Sequence, residues 1–159
     1  SYKTLNKLKF IEFPKLGFQE LKKITKKIFK LKGCILLIDY GYYRPNNQNT
    51  LQSIMKHKKN ELLSNLGKAD ITAHVNFKLL GEFFLKNNLK IKNLLSQKEF
   101  LENMGIMERA KILSKKMKFS EQSDLYLRMQ RLLSPRYMGE LFKVILAYKF
   151  DRDNFAGFK

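Results

Sequence analysis

GCILLIDYGYYRP, residues 33–45, followed by NTLQSIMKH (49–57) and GKADITAHVNF (67–77), is the stretch whose reading decides the fold. Cys34 to Ile38 is apolar without interruption, as in a strand buried on both faces of a parallel sheet. It delivers Asp39 and Tyr40 to its carboxyl end and breaks at Gly41. In open α/β sheets ligands lie beyond the carboxyl ends of the strands. His57, Asp70, Thr72 and His74 follow among turn formers, so this segment reads as the wall of a site.

Outward from that strand, helix and strand signals alternate. Lys9 to Phe13 reads as a short strand ended by Pro14. Gly17 to Lys32 is an amphipathic helix, with Leu21, Ile24, Ile28 and Leu31 on one stripe, closed by Gly33. Gly41 to Asn49 is a loop, Thr50 to Leu63 carries a weak helical stripe, and Asn65 to Ala73 is irregular. Asn76 is an N-cap for a helix over 77–86, and Leu89 to Leu95 favours a strand. Ser96 and Glu99 form a capping box opening a helix that Gly105 ends. Ile106 to Met117 and Glu121 to Leu133 are two further helices, and Leu141 to Phe150 is a final strand. The order predicts an α/β fold: the second half of a doubly wound, Rossmann-like sheet with a helical insertion before the last strand. Residues 1–150 read as one unit, with 151–159 a loosely held tail.

Composition narrows the functional classes. The 159 residues carry a formal net charge of +18, mostly from Lys. Such an excess suits a polyanion partner. Here it is spread along the chain, with Lys22, Lys23, Lys26, Lys27 and Lys30 on one helix and Lys115, Lys116 and Lys118 on another, which favours solvated faces over a specific nucleic-acid patch. The single Cys34 cannot form an internal disulfide and is expected as a buried thiol in its strand. No apolar run approaches bilayer length. His57 and His74 lack the companions of a zinc site, so no metal is expected, and no Gly-x-Ser-x-Gly elbow marks a hydrolase.

Five segments in order resemble one family, the MidA-type S-adenosylmethionine-dependent methyltransferases. They are Glu12-Phe13-Pro14; Ile38 to Gly41 (IDYG) with Thr50-Leu51 and His57; Asp70 to Ala73 with Val75 and Phe77; Gln97, Phe100-Leu101, Met104 to Ile106 and Arg109; and Met138 to Glu140 with Phe142. The sequence departs from the pattern at Asn76, where the family usually has Asp, and at His74. The resemblance implies methyl transfer from S-adenosylmethionine to a protein, with arginine the implied acceptor. Mitochondrial members of the family are complex I assembly factors and protein arginine methyltransferases, so the implied partner is a protein substrate such as a respiratory complex I subunit. The implied compartment is the mitochondrial matrix, or the cytoplasm of a bacterium, and a homo-oligomer is compatible. The glycine-rich cofactor loop of such enzymes has no counterpart in this sequence, which is therefore expected to be the carboxyl-terminal half of a longer enzyme.

An arginine acceptor is cationic, and carboxylates that grip its guanidinium are the chemical requirement. Asp39 and Tyr40 are the candidate catalytic residues, and His57, Asp70, Thr72 and Glu12 the candidate substrate-binding ones. Each has a plainer reading. Asp39 can cap amides of its own turn, Asp70 with Thr72 can form an Asx turn, and Tyr40 can pack under the loop. His57 can be a hydrogen-bonded scaffold residue, and Arg109 a structural ion pair. Two other functions stay open: a basic nucleic-acid-binding module, and a non-catalytic assembly factor that keeps the fold.

Overall fold

A computed structural model describes residues 2–44, 47–151 and 153–158. Pro45 and Asn46 of the expected loop, and Arg152 and Lys159 of the expected tail, lie outside the described residues.

Helix α1 (Lys15–Leu31) buries Thr25 and Ile28. It ends in a Schellman motif: Lys32 N–H donates to the Phe29 carbonyl and Gly33 N–H to that of Ile28. Lys32 (φ 49°), rather than Gly33, therefore takes the left-handed turn. Strand β1 (Cys34–Tyr42) runs on through Gly41. The glycine is needed there for proximity, since a Cβ would stand 2.2 Å from the Val75 carbonyl oxygen.

The segment expected to be helical over 50–63 is instead a hairpin of β2 (Gln52–Met55) and β3 (Lys58–Asn60). Lys56 (φ 50°) and His57 (φ 62°) make the two-residue turn. Positive φ at both central positions is the type I′ signature, here without the Asn-Gly that usually announces it. Strand β4 (Asp70–Thr72) pairs with β2 to complete a three-stranded sheet. Strand β5 (Val75–Asn76) leads directly into α2 (Phe77–Lys86), whose first turn is capped by Asn76 accepting from Leu79 N–H at 3.0 Å.

The expected strand over 89–95 resolves into two short ones, β6 (Lys90–Ile91) and β7 (Leu95–Ser96). The Ser96–Glu99 capping box opens α3 (Gln97–Asn103). Helices α4 (Ile106–Ser114), α5 (Phe119–Leu133) and α6 (Met138–Leu141) precede β8 (Phe142–Tyr148). The main sheet has the order β5-β1-β8-β6, with β7 also on β8.

That sheet is mixed. β1 and β8 run antiparallel from Cys34 opposite Tyr148 to Tyr40 opposite Phe142, and β1 is parallel only to β5, over Gly41 and Tyr42. The apolar run of β1 carries a packed layer on one face and an exposed apolar stretch on the other, and is not a strand of a parallel sheet. On one side α1 and α2 bury Phe77, Phe84, Ile145 and Ala147 against Ile35 and Leu37. On the other, Val144, Leu146 and Tyr148 are buried with Phe158, Phe155 and Phe100, so aromatic residues of the tail reach the core. This second layer covers β8 and stops short of β1. Leu36 and Ile38 are 43% and 46% exposed, and Cys34, expected to be buried, is exposed. Among the described residues the Cys34–Tyr40 side of β1 opposite β8 has no strand partner, an open edge beside an apolar face.

Candidate functional site

Where β5 meets the end of β1, the chain leaves a cavity of about 440 Å³. Phe10, Phe13 and Phe18 supply an aromatic wall, Leu51 and Val75 an aliphatic one, and Glu12, Asn49, His74 and Asn76 its polar groups. Phe13 and Phe18 meet edge to face at 5.5 Å, and Phe18 stacks on Phe83 at 4.5 Å, which fixes that wall to α2.

Glu12 does not come from a strand. Residues 9–13 are irregular because their polar groups pair with loop side chains instead of a ladder: Lys9 N–H donates to Asn47 Oδ1 at 2.7 Å. The Glu12 carboxylate accepts from the Thr50 amide (2.9 Å) and the Thr50 hydroxyl (2.7 Å). The same hydroxyl oxygen accepts from the His74 amide at 2.9 Å. One threonine thus ties the segment before α1, the loop after β1 and the approach to β5. All three residues are half-buried.

The charge of Glu12 is felt at Tyr42. Burial first, and then the nearby Glu12 carboxylate, raise the Tyr42 phenol above its ordinary value, while a hydrogen bond with the Asn76 side chain works the other way. Tyr40 stands edge-on to His74 at 5.5 Å and to Phe142 at 5.7 Å. It braces the imidazole that forms part of the cavity wall.

The other candidates lie elsewhere. Asp39 is exposed, and its carboxylate accepts from the adjacent Tyr40 amide at 2.8 Å. His57 is exposed at the tip of the β2–β3 hairpin, and Asp70 is exposed on β4 opposite Ile54. Thr72 is half-buried opposite Gln52, its hydroxyl buried without a hydrogen-bond partner. Of the six residues singled out, the structure brings Glu12 to the cavity directly and Tyr40 to it through His74. His57, Asp70 and Thr72 are gathered on the small sheet. Thr50, His74 and Asn76 belong to the site but were not singled out as binding residues. Their traces in the sequence were His74 among the ionisable residues that follow β1, Asn76 as an N-cap, and Thr50 within the Thr50-Leu51 segment.

Residues 3–95 match the model of the family described as "Putative S-adenosyl-L-methionine-dependent methyltransferase". The chain is 32% identical over 124 residues to the protein arginine methyltransferase NDUFAF7, mitochondrial, of Xenopus tropicalis, a match covering 77% of this chain and 28% of that protein. The Caenorhabditis elegans homolog is 30% identical over 118 residues, covering 74% of this chain and 26% of the relative. A crystal structure from Burkholderia thailandensis with bound S-adenosyl-homocysteine superposes with a TM-score of 0.78 at 25% identity, covering 92% of this chain and 39% of that one. The chain spans less than a third of the length of the curated relatives it matches. With its mixed α/β sheet and a family match over residues 3–95, this chain belongs to that S-adenosyl-L-methionine-dependent methyltransferase family.

Proposed function

We propose that this chain is the acceptor-side portion of an S-adenosylmethionine-dependent methyltransferase acting on arginine side chains of a protein. One observation carries the reading: in a chain of this family, an anchored carboxylate, Glu12, stands in a largely apolar and aromatic cavity at the end of β1. A guanidinium on an aliphatic stem matches that surface. The stem packs along Phe10, Phe13 and Leu51, and the cation meets Glu12 and the aromatic faces. Methyl transfer to nitrogen depends on holding the acceptor in line and shielding it from water, and the aromatic wall and the fixed carboxylate do this. Names of the relatives as protein arginine methyltransferases, and as mitochondrial, support both the acceptor and the compartment.

The cofactor's grip is a different matter. S-adenosylmethionine, when bound, supplies the electrophilic methyl group. No Gly-x-Gly turn exists in this sequence to cradle it. We assign that role to the length of the relatives that this chain does not span.

The test uses the longer polypeptide, tritiated S-adenosylmethionine and arginine-containing protein acceptors. Glu12→Gln keeps one of the two acceptor oxygens that Thr50 uses and removes the charge. It should lower methylation on the order of 10²-fold, the usual cost of one transition-state charge contact, with cofactor affinity retained. Asp39→Asn, at an exposed position, should cost less. Wild-type turnover in Glu12→Gln together with a lowered melting temperature would make Glu12 a scaffold residue and sink the assignment.

A further inference from the structure

Methylating a guanidinium leaves a proton to be removed. An N–C bond forms at one guanidinium nitrogen while the C–S bond of the sulfonium donor breaks and its electron pair goes to sulfur. The nitrogen then holds one proton more than the methylated guanidinium keeps, and that proton has to leave a cavity walled by aromatic and aliphatic side chains. Each oxygen of Glu12 already accepts a hydrogen bond from Thr50, Oε1 from the amide and Oε2 from the hydroxyl. This carboxylate is committed to holding the cation.

His74 is the other titratable side chain on the cavity wall. It also borders a second hollow, of about 410 Å³, whose wall is polar: Gln52, Ser53, Lys59 and Asn60 of the small sheet. Asn49 and Leu51 border both spaces as well, but neither can carry a proton. Among the described residues His74 is therefore the one titratable group that faces the cavity on one side and the polar hollow on the other. Its position is fixed twice, by the bond from its amide to the Thr50 hydroxyl at 2.9 Å and by Tyr40, edge-on to the ring at 5.5 Å. Among the described residues no hydrogen bond occupies either ring nitrogen. A neutral imidazole can take a proton on one nitrogen and release another from the second, as transfer between two spaces requires. The titratable groups around it are Glu12 before α1, Tyr40 on β1, Tyr42 at the end of β1 by way of Asn76, and Lys59 on β3 across the hollow. Of these side-chain types, only an imidazole ordinarily changes charge between about pH 5 and 8.

We propose that His74 is the general base of the methyl transfer, receiving the acceptor nitrogen's proton on the cavity side and releasing it on the side of the small sheet. The assignment rests on the arginine-acceptor reading of the cavity. Single-turnover methylation of an arginine acceptor by the longer polypeptide should slow as pH falls from about 8 to about 5.5, because an imidazolium accepts no proton. His74→Gln should be slower at the upper end on the order of 10²-fold, the lower end of what a positioned base contributes, and its rate should be flat over the range. His74→Ala leaves a gap of the ring's size and should regain rate when free imidazole is added. Binding of an arginine peptide without the methyl donor reads the ring apart from turnover. The wild-type Kd should weaken in acid, where two cations meet, and that of His74→Gln should not. A wild type that methylates no arginine acceptor would overturn the reading of the cavity and this role together. Arginine methylation with one pH profile in wild type and His74→Gln would overturn this role alone, as would a His74→Ala defect that imidazole leaves unrepaired.

Discussion

Replacing Thr50 with Val removes one hydroxyl and should loosen three segments at once. The change is nearly isosteric, so little of the effect comes from shape. Two hydrogen bonds disappear: hydroxyl to the Glu12 carboxylate at 2.7 Å, and His74 amide to the hydroxyl oxygen at 2.9 Å. A bond to a charged group contributes about 1.5–3 kcal/mol and a neutral one about 1. Half-burial of all three residues puts the first near the lower end of its range. The Thr50 amide keeps its own bond to Glu12, which limits the loss. The sum is about 2–3 kcal/mol, and a domain of this size loses roughly 2–4 °C of Tm per kcal/mol. Differential scanning calorimetry should therefore show Thr50→Val melting roughly 5–10 °C below the parent, with Thr50→Ser close to it. If Thr50→Val melts within 1 °C of the parent, or if Thr50→Ser is as damaging as Val, the hydroxyl does not hold the site together.

Three further outcomes are expected. Gly41→Ala drives a Cβ against the Val75 carbonyl oxygen at 2.2 Å and the Phe77 ring at 2.9 Å; the crowding should cost roughly 3 kcal/mol by urea titration, and a neutral result would show that β5 is not held where it lies. Ser96→Ala deletes half of the α3 capping box and should cost about 1 kcal/mol at neutral pH. Hydrogen bonds from the Ser96 amide and hydroxyl hold the Glu99 carboxyl below its ordinary 4.5; its contribution is therefore complete above that value and lost as pH falls through the folded pKa, so the penalty of Ser96→Ala should shrink in acid. Tyr148, whose phenol donates to Asp153, is pushed up to about 12; ultraviolet titration should find one late-ionising tyrosine that Asp153→Asn moves to lower pH.

What the sequence revealed depended on how local its signals were. Asn76 and Ser96–Glu99 are caps whose donors and acceptors lie within three residues, and both were readable directly. The β2–β3 hairpin was not, because its type I′ turn is made by Lys56 and His57 instead of Asn-Gly. The apolar run of β1 was legible as a strand, while its antiparallel partner lies roughly a hundred residues away and no local pattern gives its direction. Exposure of Cys34, Leu36 and Ile38 was invisible for a related reason: which layer stops short of β1 is decided by α3 and the tail. The site shows the same division. Glu12 was picked out by its chemistry, but its partner Thr50 is 38 residues away, and only the fold makes one threonine serve both Glu12 and His74.

The pairing of β1 with β8 also bears on how the chain is made. The central ladder joins residues 34–40 to residues 142–148, so an emerging polypeptide carries the apolar strand β1 without its β8 partner while roughly a hundred residues are added. At ribosomal speeds of about 5–20 residues per second that interval is on the order of 5–20 s, far longer than hydrophobic collapse takes. Throughout it α1 and α2 can cover only the Ile35–Leu37 side of β1. Nascent-chain capture by a holdase chaperone should be heaviest between the synthesis of Tyr42 and that of Tyr148, and should fall once β8 has cleared the exit tunnel.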